Sequence, residues 1–135
     1  MRSLALLVAF LIALGSPAFA ADDVATAQGV IRSQVDAFGR DDAAAAYSYA
    51  APAIREIFPR ADIFLFMVRH SYTPVYRHKS FEFGEARVAG GWIAQRVHIV
   101  DADGEAWEAL YTLERQPDGD LKITGCSLLK AGQAA

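Results

Sequence analysis

Residues 81–129 read FEFGEARVAGGWIAQRVHIVDADGEAWEALYTLERQPDGDLKITGCSLL, and their period decides the fold. Apolar residues recur at every second position, the spacing of a strand with one covered face. Four runs stand out: Phe81–Val88, Trp92–Val100, Ala106–Gln116 and Leu121–Leu129. Between them lie Gly90-Gly91, Asp103-Gly104 and Asp118-Gly119. Gly and Asp accept positive φ, so each pair marks a tight hairpin. Three hairpins in series predict a four-stranded antiparallel meander. If every turn holds two residues, Glu85, Arg96, Tyr111 and Cys126 form one cross-strand row. Phe83, His98, Ala109 and Leu128 form the next, and Phe81, Val100 and Trp107 the one beyond, all on one face. The opposite face then carries Ala86, Val88, Ile93, Val97, Ile99, Leu110 and Ile123, small and aliphatic, suited to helices laid against it.

Upstream the period changes to that of helices. In VATAQGVIRSQVDAF, Val24, Ala27, Ile31, Val35 and Phe38 fall on one stripe. Gly39 is a natural stop, and Asp41 or Asp42 can cap the following AAAAYSYA. Pro52 suits the first turn of a short helix ending before Pro59. Asp62 is the expected cap of IFLFMVRH, apolar nearly all round and so expected to be enclosed. Helices first and an antiparallel sheet second predict an α+β fold, N-terminal helices packed on a curved four-stranded meander sheet.

The chain opens MRSLALLVAFLIALGSPAFAADD, with Arg2 ahead of an apolar run and the small-x-small pattern Ala18-Phe19-Ala20. This predicts a signal peptide over 1–20. The apolar run is shorter than the roughly 20 residues that span a bilayer. The expected location is therefore periplasmic, without membrane attachment after cleavage. Loss of Arg2 with the leader leaves 12 Lys/Arg against 16 Asp/Glu. So acidic a chain does not suit a nucleic-acid partner, which needs a concentrated basic face. A single α+β domain is expected over 21–130, with 131–135 as a flexible tail. Cys126, the only cysteine, reads as a buried small hydrophobe, with an intermolecular disulfide or a reactive thiol as alternatives.

Three segments, QVDAFGRDDAAAAYSYAAPAIREIF, FLFMVRHSYTPVYR and EALYTLERQPDGDLKITGC, resemble an uncharacterised family of short exported proteobacterial proteins, a domain of unknown function. The order of elements is similar to the cone-shaped fold of the nuclear-transport-factor-2-like proteins. The resemblance implies helices on a strongly curved sheet and carries no assigned activity. Enzymes of that superfamily place an acid/base group inside the cone, but no such motif matches this chain residue by residue.

Chemistry-bearing residues gather in one predicted row. Glu85, His98 and Tyr111 bring a carboxylate, an imidazole and a phenol together, the set for general acid/base work on a small carbon acid. Arg96, with Tyr111, Trp107 and Phe83, would line a ligand site and hold a carboxylate in two parallel hydrogen bonds. The plainer alternative is a cross-strand Glu85–Arg96 pair at the margin of a core. RHSYTPVYRHKSFEFG, residues 69–84, collects basic and aromatic side chains. It reads as the crossing from helix to sheet, with an anion-binding mouth as the alternative. Pro74 should hold Thr73 extended. His70, His78 and His98 have no metal-ligand spacing, so no metal and no cofactor are expected. The expectation is an exported binding or interaction domain rather than an enzyme, one that takes a small apolar or anionic ligand or forms a homodimer. The alternatives are a cofactor-free isomerase- or dehydratase-like enzyme and a structural envelope-associated dimer.

Overall fold

The computed structural model describes residues 17–132. The predicted leader lies outside them except for its last residues, which open the first helix, and so does most of the predicted tail. The elements run α1 (Pro17–Gly39), α2 (Ala43–Ser48), α3 (Pro52–Ile57), α4 (Ala61–Ser71), α5 (Thr73–Tyr76), β1 (His78–Ala89), β2 (Trp92–Asp101), β3 (Ala106–Arg115) and β4 (Leu121–Lys130). The strands form one antiparallel sheet in the order β1-β2-β3-β4. The fold is α+β, with the helices on one face of an open meander.

The helices follow their sequence signals with local departures. Ala27, Ile31, Val35 and Phe38 of α1 are buried against the sheet. That helix ends at Gly39, as expected, but Gly39 itself is not left-handed. Asp41 takes the left-handed conformation instead, at φ 54, and Asp42 N–H closes back onto Ala37 O at 2.9 Å. Asp is among the few side chains tolerated there. It is also held by Tyr76, whose hydroxyl donates to its carboxylate, and by Arg77 at 3.3 Å. Asp42 caps α2 by accepting from Ala45 N–H at 3.0 Å. Asp62 is not the cap of α4. Arg60 holds that position, and Asp62 sits in the first turn, accepting from Arg60. Nor is α4 enclosed all round, since Phe66 is 63% exposed and Ile63 39%. Thr73 is not extended either; it opens the one-turn α5, where Pro74 needs no N–H partner.

The strands lie where the alternation puts them, but the register differs from that of two-residue turns. The Gly90-Gly91 turn pairs Ala89 with Trp92, as counted, and the ladder holds to Ala86↔Gln95. There a bulge inserts one residue, so that the next pair is Phe83↔Val97. The β2–β3 loop is one residue longer than counted: Asp101 N–H donates to Glu105 O, and Asp101 Oδ1 accepts from the N–H groups of Asp103 and Glu105. Gly104 adopts φ 86, which completes a three-residue hairpin of the bulged type. The β3–β4 loop is also longer, with Gln116 N–H on Asp120 O, but a bulge near Thr124 shifts β4 back. Tyr111↔Cys126 and Ala109↔Leu128 therefore match the count because two shifts cancel.

The true rows are Ala86–Gln95–Tyr111–Cys126, Phe83–Val97–Ala109–Leu128 and Phe81–Ile99–Trp107–Lys130. They face the helices. These bulges and a further one-residue shift at Lys79 all sit on edge strands, where an extra residue bends the strand without breaking a central ladder. The first is pinned from within. Gln95, fully buried, donates through Nε2 to Gly84 O at 3.0 Å and Arg96 O at 2.7 Å, and its Oε1 accepts from Gln28 at 3.1 Å. The free edge of β4 is partly covered by residues 49–51, where Ala51 N–H donates to Ile123 O at 2.7 Å and Ile123 N–H to Tyr49 O at 2.9 Å.

Candidate functional site

The register separates the residues expected to act together. Arg96 and His98 are exposed on the face away from the helices, and Glu85 is exposed at the bulge. Arg96 pairs with Glu108 at 2.9 Å, not with Glu85 across the strand. That bond raises the Arg96 pKa, with Glu85 as a smaller contributor. The His98 ring lies over Gly84, where an added Cβ would meet its Nε2 at 2.7 Å. Tyr111 is on the opposite face, 1% exposed. Glu85, His98 and Tyr111 therefore share no pocket.

The expected ligand set divides in the same way. Trp107 faces the helix side but is half-buried at the sheet end, with Nε1 donating to Asp101 Oδ2 at 2.8 Å. Phe83 lies under Arg32, whose guanidinium stands 5.1 Å from its ring centre. The basic crossing is occupied with its own framework. Arg77 donates to Phe38 O at 3.0 Å and lies 3.8 Å over the Tyr76 ring, and His78 Nδ1 meets Pro74 O at 3.0 Å.

The structure instead offers a cavity of about 190 Å³ between helices and sheet. Its floor is Tyr111, Ile123, Gly125 and Cys126 of β3 and β4. Its walls are Gln34 and Phe38 of α1, Ile54 and Phe58 around α3, Phe64, Met67 and Val68 of α4, and Tyr72 and Val75 beyond. The lining carries no charged side chain.

Four lining residues bear polar side-chain atoms of consequence. Tyr72 hydroxyl donates to Cys126 O at 3.0 Å, tying the end of α4 to β4. Gln34, 3% exposed, donates through Nε2 to Ala46 O at 3.1 Å. Tyr111 Oη is buried with no hydrogen-bond partner. The Cys126 thiol faces it across the strand pair, but a thiol is a weak partner. Burial pushes the Tyr111 phenol well above its ordinary pKa and the Cys126 thiol up to about 12. At neutral pH both are protonated, so Tyr111 is a donor and Cys126 is not a nucleophile.

Gln34 and Tyr72 were absent from the sequence-based set. Gln34 was findable: it sits three residues after Ile31 and four before Phe38, a polar side chain inside an apolar stripe. Tyr72 carries no such signal. Among the described residues, no three His, Cys, Asp or Glu side chains converge as metal ligands do. No described helix is long and apolar enough to cross a membrane.

No curated protein matches the chain. Residues 20–135 match the family model described as Domain of unknown function (DUF4864), and the chain belongs to that family.

Proposed function

We propose that the protein is an exported, non-catalytic binding domain that holds a small molecule between its helices and its sheet. One observation carries this reading. A buried hydroxyl without a partner costs stability, and Tyr111 keeps one at the floor of a cavity large enough for a guest. A bound molecule with an acceptor removes that cost. Support for export comes from the leader-like residues 1–20, and the family match begins at their end. The order of helices followed by a meander supports membership of the nuclear-transport-factor-2-like superfamily.

The test is native mass spectrometry of protein recovered under non-denaturing conditions from expression of the full chain. A retained small molecule that is lost when Val75→Phe fills the cavity is the expected result. Failure to retain any molecule, together with failure of benzene to enter crystals at this cavity, overturns the reading. A second reading is favoured by the uncovered sheet face, where Trp92 is 51% exposed, Leu129 51% and Leu110 39%. These side chains suit a homodimer through that face. Sedimentation as a monomer at high protein concentration would exclude it.

A further inference from the structure

The chemistry of the lining narrows the guest, if the cavity is the binding site just proposed. Charge is the first restriction. No lining side chain is ionic, and an ion moved into such a space loses its hydration without a counter-charge. The anionic ligand allowed for by the basic stretch 69–84 does not fit here. Arg69 and Arg77 lie over the ring of Tyr76, which is not part of the lining.

Size is the second restriction. An apolar cavity of about 150 Å³ admits benzene in another protein. The 190 Å³ here accommodates a single ring with a short substituent.

Polarity is the third. Tyr72 has spent its proton on Cys126 O. Tyr111 faces only the Cys126 thiol, a weak acceptor. Gln34 must turn its NH₂ toward Ala46 O, because only that end donates to a carbonyl. Its Oε1 accepts no described hydrogen bond. The lining thus includes a phenolic proton not given to any oxygen, on Tyr111, and an amide oxygen without a donor, on Gln34, within a mostly apolar surface. A hydroxyl group both accepts and donates, and so matches the pair. A carbonyl matches only Tyr111, and a hydrocarbon neither.

We infer that the cavity selects an uncharged, monocyclic-sized apolar alcohol or phenol, with Tyr111 donating to its oxygen and Gln34 accepting from a donor on the ligand.

Calorimetry on protein from the full chain tests this with four probes of nearly one shape: 1-phenylethanol, acetophenone, ethylbenzene and benzoate. The expected order of affinity is alcohol, ketone, hydrocarbon, with each step about five- to tenfold and benzoate not bound. Tyr111→Phe should bring the ketone down to the hydrocarbon. Gln34→Met should remove the advantage of alcohol over ketone and leave that of ketone over hydrocarbon. A melting curve for each variant confirms that it is folded, and Tyr111→Phe, which removes one oxygen, keeps the test valid if Gln34→Met does not fold. Equal binding of ethylbenzene and 1-phenylethanol, or tighter binding of benzoate, overturns the ligand class and leaves a binding cavity in place. Failure of all four probes while another molecule co-purifies also overturns only the class. Failure of all four with nothing co-purifying overturns both.

Discussion

At the scale of single residues, the cavity turns on an oxygen atom. Tyr111 to phenylalanine exchanges usually destabilise a protein when the hydroxyl is paired. Here the hydroxyl is unpaired and buried, so Tyr111→Phe should raise the melting temperature of the unliganded protein, by about 1 kcal/mol of stability. A fall in melting temperature on the same exchange would show that the oxygen has a partner. Tyr111 was visible in the sequence as a candidate, because a tyrosine in an alternating strand is easily noticed. Its companions were not, because Glu85, Arg96 and His98 were placed beside it by a count of turn residues that is off by one. Asp41 makes the same point. Its left-handed backbone depends on Tyr76 and Arg77, which lie 35 and 36 residues away, and no local signal reveals such a dependence.

At the scale of elements, all four strands and the main helices were legible, because period and turn chemistry are local. The register was not, because it depends on what one side chain does inside a loop or a bulge. Asp101 lengthens its hairpin by accepting from two backbone N–H groups of the loop and from Trp107. These bonds, that of Trp107 first, hold its carboxyl below the ordinary carboxylate pKa. The unfolded chain binds the proton more readily, so the stabilisation is present above about pH 4 and lost as pH falls through the folded value. In a Trp92→Phe background, Trp107 fluorescence should therefore change below pH 4, and the change should vanish in Asp101→Asn. The other bulge depends on Gln95. Gln95→Leu removes the donors that Gly84 O and Arg96 O share and should cost about 2–4 kcal/mol in denaturant titration. A loss below about 0.5 kcal/mol would mean that water replaces the side chain.

At the scale of the whole molecule, the layer order was expected and is observed, while the division of labour between the sheet faces was not. The face toward the helices holds the buried phenol and the partly buried thiol; the face away from them holds Arg96, His98 and Glu108. Tyr111 and Cys126 both keep their protons in the folded state to higher pH than in the unfolded chain. The unfolded state then releases protons first as pH rises, so stability should fall from about pH 9 upward and continue to fall toward 12. Thermal melts across that range check this, and Cys126→Ala should flatten the early part of the slope. The placing of the bulges has a consequence for how this chain can vary. Inside a strand the number of residues between two core positions has a parity, odd or even, and one inserted residue reverses it for everything on one side. The edge strands carry all such reversals, two in β1, at Lys79 and at Gly84-Glu85, and one in β4 near Thr124, and the central strands carry none. Relatives that differ in length within β2 or β3 should therefore differ by even numbers, whereas single insertions and deletions should collect at those three places on the rim. An alignment of the family can be read for that parity without any further structure.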